Sequence, residues 1–252
     1  MKEAKTKYVL EIPVYGENFE IANDSFRTND IIDMIDIAHN ADIIGLKFNI
    51  SEKKQIKGAK KLLKGLLANI KKPFMINGTN NDELDRALLP ELIQAMDRPA
   101  IISNANEYTY KDIVPAVIKG GHKLVLKTPI DINLCKELNI LTSEMGLPLD
   151  KIIIDTDIGG LGYGLDYGYS TIEKIKLEND EYLNMPIISF APFESLKTKE
   201  AKSSLFSESW GDLKTRAKMF EIASATAVKA AGTDIIVLHN PESIAVMKGL
   251  DE

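Results

Sequence analysis

The 252-residue chain contains one cysteine, Cys135, and this scarcity excludes several kinds of site. One thiol cannot form an internal disulfide, hold a Cys-ligated iron–sulfur cluster or build a Cys-rich zinc site. Histidine is also scarce, since His39, His122 and His239 share no helical face and no metal-ligand spacing. We therefore expect this chain to bind no metal, and we interpret Cys135 as a buried structural thiol.

The sequence also lacks a basic excess and a long apolar run. Its formal net charge of −6 argues against nucleic-acid binding, which needs a basic face. No apolar stretch approaches the roughly 20 residues of a membrane span. The first ten residues, MKEAKTKYVL, contain no apolar signal region. We expect a cytoplasmic protein with neither a nucleic-acid nor a membrane partner.

Apolar strand-like segments alternate with helix-like segments along the whole chain. The predicted strands are 8–13, 43–48, 73–76, 100–103, 123–126, 152–154, 186–190 and 235–238. Strands that alternate with helices pair in parallel through crossover units. Eight evenly spaced units without a linker favour an α/β fold in which residues 1–252 form a single (β/α)8 TIM-barrel domain. An open, doubly wound sheet is the alternative.

One segment, residues 191–209 after the seventh strand, interrupts this alternation. Loops this long within compact domains are usually functional or mobile. We predict a lid or a partner-docking loop, with a disordered surface loop as the alternative. Ser209 and Asp212 have the spacing of a capping box, which predicts that the next helix starts at Trp210.

Residues 152–170, IIIDTDIGGLGYGLDYGYS, combine a short buried strand, an acidic tip and a glycine-rich connection to a helix near Leu165. The dinucleotide fingerprint G-x-G-x-x-G is not met in this register, and the chain has no phosphate-binding G-x-x-x-x-G-K-[ST] motif. Two interpretations stay open: a tight strand-to-helix connection, or a loop that faces a ligand. In the second case the candidate contacts are Asp155, Asp157, Gly160, Gly162 and Tyr163.

The carboxyl ends of barrel strands meet at one opening, which is the functional end of this fold. The residues that follow the predicted strands are mainly amides, which orient a polar ligand but do not titrate. Turn formation and helix capping are their alternative roles, which we expect for Asn81 and Asn240. The further candidate ligand contacts at the opening are Asn77, Asn104, Asn106, Ser189 and, as a polar rim residue, His239.

Two lysines, Lys47 and Lys127, lie at or near the ends of the second and fifth predicted strands. A lysine that pointed into the barrel would have a lowered pKa and could form a Schiff base, as in aldolase-type chemistry. A snorkelling lysine at the rim, or one that contacts an anion, is the alternative. No paired base is evident, so we assign no catalytic residue.

Several segments from about Pro73 onward occur in one order: SNANEYTYKDIVPAVIKGGHKLVL, PIDINLCKELN, DTDIGGLGYGLDYGYSTIEKIKL, MPIIS and WGDLKTRAKMFEIASATAVKAAGTDIIVLHNPESIAVMK. In these segments the chain resembles the delta subunit of the acetyl-CoA decarbonylase/synthase complex. The same family includes the small subunit of the corrinoid iron–sulfur protein. The most specific motifs are the LGYG loop, Trp210-Gly211-Asp212 and His239-Asn240-Pro241.

The resemblance implies a TIM barrel that pairs with a large subunit carrying a corrinoid and a [4Fe–4S] cluster. That heterodimer carries a methyl group from a methyl-tetrahydropterin to acetyl-CoA synthase in the Wood–Ljungdahl pathway, with a methyltransferase as a further partner. The barrel subunit would help to enclose the corrinoid of its partner and would bind no cofactor alone, a tetrahydropterin being the further candidate ligand.

The family is also related to pterin-dependent methyltransferase barrels, which hold the pterin with acidic and amide residues at strand ends. Asn77, Asn104 and Asp155 match such strand ends, whereas Ser189-Phe190 stands where those enzymes have a functional asparagine. A free-standing methyltetrahydrofolate:corrinoid methyltransferase is therefore the second hypothesis, and a lysine-dependent aldolase-like enzyme is the third. The chain is also shorter than typical delta subunits, which leaves open a paralogue with another corrinoid partner.

Overall fold

The computed structural model describes residues 5–16 and 30–251. Its eight parallel strands close into a barrel in sequence order, so the (β/α)8 prediction is confirmed. The sequence predicts a first helix from about Asn29 to Asn40, and its predicted start at Asn29 lies outside the described residues. The strands are β1 (Lys7–Gly16), β2 (Ile43–Asn49), β3 (Phe74–Asn77), β4 (Ile101–Ala105), β5 (Lys123–Lys127), β6 (Ile152–Asp155), β7 (Ile187–Ser189) and β8 (Ile235–Leu238).

Helices connect successive strands, and several begin at a capping side chain. They are α1 (Ile31–Ala38), α2 (Ile56–Leu66), α3 (Asp82–Ile93), α4 (Tyr110–Gly120), α5 (Ile132–Glu144), α6 (Leu165–Leu177), α7 (Ala191–Leu196), α8 (Lys199–Lys202), α9 (Leu213–Ala230) and α10 (Pro241–Gly249). Asn81 accepts a hydrogen bond from Leu84 N, and Asn240 accepts one from Glu242 N, which confirms both predicted caps. In the described part of the chain, no helix is long and apolar enough to cross a membrane.

The segment 191–209, predicted as a loop, contains the two short helices α7 and α8. The prediction that the following helix starts at Trp210 is wrong: α9 begins at Leu213, and Asp212 is its N-cap. Gly211 explains the later start, because its φ of 74° is a left-handed conformation that ends the preceding 3-10 turn.

Arg216 of α9 holds this segment against the barrel. Its buried guanidinium group donates hydrogen bonds to the backbone carbonyls of Glu200, Ser203 and Gly211. These carbonyls belong to residues between 200 and 211, so one side chain fixes the path of a segment that has little apolar sequence of its own.

The interior of the barrel is apolar at its N-terminal end and polar at its C-terminal end. Alternate residues of a strand face the same side. The apolar inward cluster is formed by Val9, Ile43, Met75, Ile101, Val125, Ile153, Ile188, Ile235 and Val237. Two or four residues further along the strands, the same rows continue with Glu11, Lys47, Asn77, Lys127, Asp155 and His239. The strand register thus places a set of ionisable groups at the functional end of the fold.

Candidate functional site at the barrel mouth

A small cavity lies at the C-terminal end of the barrel, between the strand ends and α7. Its free volume is about 30 Å³, and since a water molecule needs roughly 10–15 Å³ of such space, it holds about two waters. With α7 in this position, the cavity is too small for a pterin or a corrinoid. Its lining consists of Lys47, Asn77, Asn80, Asn104, Lys127, Asp155, Asp157, Ile158, Phe190, Phe193 and Glu194.

Glu11 of β1 is the centre of a buried hydrogen-bond network on one side of the cavity. Its Oε1 accepts a hydrogen bond from Asn77 Nδ2 at 2.7 Å, and its Oε2 lies 3.3 Å from His239 Nε2. Gly45 pairs with Glu11 in register and leaves room for it, because an added Cβ would lie 2.9 Å from the Glu11 Cα. Burial raises the pKa of Glu11, but its bond to His239 and the charge of Lys47 outweigh burial and lower the pKa.

Glu221 of α9 holds the backbone of His239 from the side away from the cavity. Its Oε1 accepts a hydrogen bond from His239 N at 2.5 Å, and its Oε2 accepts one from Ser243 Oγ at 2.6 Å. Glu221 is fully buried, and burial raises its pKa. Among the described residues, His239 Nδ1 has no hydrogen-bond partner. His239 is therefore fixed through its backbone and through Glu11, which lies at its other ring nitrogen.

Lys47 points into the cavity with only 8% of its surface exposed. No carboxylate of the described residues lies within 4.0 Å of its Nζ, and its register partner on β3 is the neutral Asn77. Burial lowers the pKa of Lys47, and the negative charges of Glu11 and Asp85 only partly counteract this effect. Lys47 is thus a buried amine that loses its proton more readily than an exposed lysine.

Lys127 occupies the corresponding position on the other side of the cavity and is paired. Its Nζ lies 2.9 Å from Asp157 Oδ1. Asp157 has a φ of 46° and follows directly after the end of β6, where its backbone N–H donates a hydrogen bond to Asp155 Oδ1 at 2.9 Å. Burial lowers the pKa of Lys127, but the charges of Asp157 and Asp155 raise it above its ordinary value. Lys127 therefore keeps its proton.

Asp155 is a titratable group of the cavity whose pKa lies close to neutral pH. It is 3% exposed and pairs in register with Lys127. Burial, followed by the charge of Asp157, raises the pKa of Asp155 to about 7. A carboxyl group with this pKa can both donate and accept a proton under neutral conditions.

The short helix α7 covers the mouth with an aromatic side chain. The ring of Phe193 stacks on His239, with ring centroids 4.5 Å apart and an angle of 22° between the planes. Lys197 Nζ lies 4.3 Å from the centroid of the Phe193 ring. Phe193 thus covers one face of the His239 ring.

The glycine-rich connection after β6 packs directly against α7. An added Cβ on Gly160 would lie 2.6 Å from the backbone of Glu194 and Ser195, so only glycine permits this approach. Leu161 N donates a hydrogen bond to Ser195 Oγ at 2.8 Å, and that hydroxyl lies 2.5 Å from Ser224 Oγ on α9. The connection therefore fixes the cover of the mouth.

Three large aromatic side chains remain exposed on the connection, on α6 and on the segment before α9. Tyr163 is 52% exposed, Tyr167 67% and Trp210 48%. The Tyr163 hydroxyl donates a hydrogen bond to Glu200 Oε2 at 3.2 Å. We call Tyr163, Tyr167 and Trp210 the aromatic rim.

The structure brings four of the ten predicted ligand contacts together in the cavity: Asn77, Asn104, Asp155 and Asp157. His239 lies beneath Phe193 and next to Glu11. Three others belong to the glycine-rich connection: Gly160 packs against α7, and Gly162 (φ 80°) and Tyr163 follow it. The side chains of the remaining two bond to nearby backbone. Asn106 Oδ1 accepts a hydrogen bond from Thr109 N, and Ser189 Oγ accepts one from Ala191 N. Ligand binding by any of the ten stays a prediction.

Several residues of the site were not predicted from the sequence. Glu11 has a recognisable signal, since it is the one charged residue in the apolar run YVLEIPV. Phe193 and Glu194 have none, because they reach the mouth only through the fold of α7. Asn80, by contrast, is one of the amides that follow the predicted strands, and the structure places it in the cavity lining. It adopts a φ of 64° and accepts a hydrogen bond from Asn104 Nδ2 at 3.1 Å, a contact between two loops.

The closed (β/α)8 barrel places the chain in a fold class that includes the dihydropteroate synthases. The Yersinia pestis synthase with a pterine-sulfa conjugate superposes with a TM-score of 0.63 at 12% identity, covering 100% of this chain and 96% of that chain. The Xanthomonas albilineans synthase in complex with 7,8-dihydropteroate gives 0.64 at 12% identity, covering 100% and 95%. At this identity the likeness shows the fold alone.

Residues 10–251 match the CO dehydrogenase/acetyl-CoA synthase delta subunit family, and the chain belongs to this family, as the sequence motifs predicted. It is 29% identical over 221 residues to the acetyl-CoA decarbonylase/synthase complex subunit delta of Methanocaldococcus jannaschii, covering 86% of this chain and 53% of that protein. It is 30% identical over 205 residues to subunit delta 2 of Methanosarcina acetivorans, covering 78% and 47%. The chain thus spans about half the length of the curated relatives it matches.

Proposed function

We propose that this chain is the barrel subunit of a corrinoid methyl-transfer complex and that its mouth covers the corrinoid of a partner subunit. The partner would be the large subunit of a corrinoid iron–sulfur protein, which carries the corrinoid and a [4Fe–4S] cluster. Together they would carry a methyl group between a methyl-tetrahydropterin and acetyl-CoA synthase. Family membership supports this role, because the curated relatives are named as subunits of a decarbonylase/synthase complex.

The observation that carries the proposal is the closed mouth. With about 30 Å³ free beneath α7, a ligand as large as a corrinoid can lie only over the opening. Asn80 and Asn104 at its edge offer amide donors and acceptors, which suit the amide side chains of a corrinoid. The aromatic rim offers the kind of side chain that dominates binding energy at protein interfaces.

Calorimetric titration with a corrinoid iron–sulfur large subunit tests the proposal. We expect a one-to-one complex, and Tyr167→Ala should weaken it at least about tenfold, as truncation of an interface aromatic commonly does. Leu177→Ala is the matched control, because Leu177 is 85% exposed at the opposite end of the same helix. Absence of binding, or an equal loss with both variants, would contradict the proposal.

A second candidate is a free-standing pterin-dependent methyltransferase, favoured by one specific observation. Asn77 Oδ1 is buried in the cavity lining, and no hydrogen-bond partner is found for it among the described residues. Buried polar atoms are rarely left unpaired, and the N–H groups of a pterin would supply a donor to Asn77 and to Asp155. Such binding requires α7 to move away from the mouth.

Titration of the chain alone with methyltetrahydrofolate tests this second candidate. If the chain acts alone, the pterin binds without any corrinoid partner and Asp155→Ala removes the binding. If millimolar pterin gives no heat of binding while the large subunit does bind, the subunit role stands and the enzyme role is wrong.

A further inference from the structure

The mouth contains one chemical group that a covering subunit does not need, the amine of Lys47. Its side chain is 8% exposed, and its Nζ has no carboxylate of the described chain within 4.0 Å. Buried lysines are almost always paired, because the uncompensated charge is costly to desolvate. An unpaired lysine that lines a cavity is therefore an amine held ready for reaction.

We propose that Lys47 captures a small aldehyde as a protonated Schiff base within the cavity. The free space of about 30 Å³ inside the cavity suits a carbonyl compound of one or two carbon atoms. Lys47 also borders an open groove that is lined by Asn49, Ser51 and Lys197. The proposal concerns this chain alone and requires no corrinoid partner, so it fails or holds independently of the subunit role.

The cavity supplies both the amine and the proton donor that imine formation needs. The neutral Nζ attacks the carbonyl carbon, a C–N bond forms, and the carbonyl oxygen takes up the amine proton to give a carbinolamine. Asp155, which lines the same cavity, then donates a proton to the hydroxyl group, and water leaves. Lysine amine, aldehyde and one proton thus give a protonated imine and water, with no oxidant or reductant.

The charges around Lys47 favour this product over other modifications of the amine. The groups that act on Lys47 are Glu11 on β1, Asp85 on α3, Lys127 on β5 and Lys197 after α7. A protonated imine carries a positive charge, which the negative charges of Glu11 and Asp85 favour at this position. An acylated or carboxylated lysine carries no positive charge, so these two carboxylates do not favour it.

Lys127 provides the internal comparison, because it lines the same cavity at the corresponding strand end. Its Nζ is paired with Asp157 at 2.9 Å, and this pairing raises its pKa. An ammonium group is no nucleophile, so Lys127 should react slowly although it is nearer to solvent. Comparing the reactivity of the two lysines therefore shows whether the reaction depends on the protonation of the amine or only on its exposure to solvent.

Reductive trapping of the imine tests the proposal directly. The full chain is treated briefly at pH 7 with one equivalent of acetaldehyde and sodium cyanoborohydride, and ethylated lysines are quantified by peptide mass mapping. We expect at least about tenfold more adduct at Lys47 than at Lys127, with the exposed Lys64 as the reference for an ordinary lysine. Benzaldehyde, which exceeds the free space of the cavity, should give a lower ratio of Lys47 to Lys64 adduct than acetaldehyde does.

Two variants make the result decisive. Lys47→Arg should abolish the dominant adduct and leave that at Lys64 unchanged. Asp155→Asn should lower ethylation of Lys47 by about 10²-fold if its proton transfer limits imine formation, again with Lys64 unchanged. Adduct at Lys47 equal to or below that at Lys64 in the unmodified sequence would overturn the proposal, whether or not either variant folds.

Discussion

Lys47 and Lys127 occupy corresponding ends of strands β2 and β5, yet the two sides of the mouth treat them differently. On the β5 side, Asp157 turns back from the end of β6 and pairs with Lys127. On the β2 side, the neighbour of Lys47 on β3 is the neutral Asn77, and Glu11, a buried carboxylate whose charge acts on Lys47, is bonded to Asn77 and His239. The same residue type thus becomes a stable cation on one side and an activated amine on the other.

The difference shows that strand register alone does not set the chemistry of a barrel mouth. Register determines which side chains face the cavity, whereas the loops after the strands determine which of them are paired. Each substitution below either removes a group that surrounds one of the two lysines or makes the surroundings of the two lysines alike.

The largest effect is expected from Asp155→Asn, measured as stability against pH. The folded-state pKa of about 7 exceeds the ordinary value of 3.8, so the folded chain binds more protons between these values and its stability falls as pH rises from 4 to 7. At 1.36 kcal/mol per pKa unit, Asp155 accounts for roughly 4 kcal/mol of this fall. In urea unfolding, the free energy of unfolding of the Asn variant should rise relative to that of the unmodified chain as the pH goes from 4 to 7. Parallel pH profiles of the two proteins would contradict the raised pKa of Asp155.

Glu11→Gln should cost less, about 1–3 kcal/mol in the free energy of unfolding, because a buried network loses charge-assisted bonds. The amide oxygen can still accept from Asn77, but Lys47 loses a buried counter-charge. Urea unfolding at pH 7 provides the measurement, with Glu173→Gln on the exposed face of α6 as the control. A loss as small as that of the control would show that the network contributes nothing.

Phe193→Ala should cost about 1–2 kcal/mol in the free energy of unfolding, because the ring is only partly buried and its stack on His239 contributes about 0.5–1.5 kcal/mol beyond the buried area. Removing the ring opens the cover over His239 and so increases access to Lys47 from solvent. The rate of reductive ethylation at Lys47 should rise relative to that at Lys64, and the labelling of Lys47 by benzaldehyde should rise as well. An unchanged rate would mean that α7 does not control entry.

Asp157→Asn should have the smallest effect on stability, below about 1 kcal/mol, because its ion pair is partly exposed. Its chemical effect is the informative one, since Lys127 loses the partner that keeps it protonated. Ethylation of Lys127 should rise towards that of Lys47, which makes the two sides alike. If Lys127 stays inert in this variant, pairing is not what distinguishes the two lysines.

The fold could be predicted because each strand is a short run of apolar residues buried on both faces, and because caps such as Asn81 and Asn240 mark helix starts. The segment 191–209 could not be predicted in the same way. Its helices α7 and α8 have few residues and weak local signals, and residues outside the segment supply hydrogen bonds that hold them. Arg216 bonds to the end of α8 and the residues after it, whereas Leu161 and Ser224 bond to Ser195 of α7.

The candidate site could be predicted only where a functional group follows a strand. Asn77 and Asp155 were found for this reason, and the structure places both in the cavity. Asn106 and Ser189 satisfy the same rule, yet their side chains bond to nearby backbone instead. Glu11 lies within its strand, and Phe193 reaches the mouth only through tertiary packing, so the rule cannot find either.

The most direct test of the central claim, that the mouth is a docking face for a corrinoid protein, is amide hydrogen exchange. The full chain is measured alone and saturated with a corrinoid iron–sulfur large subunit. Docking over the mouth predicts slower exchange in residues 156–167 and 191–212, the two segments that form the cover and the aromatic rim. Slower exchange only at the opposite end of the barrel, for example in residues 146–151, or no change at all, would contradict the claim.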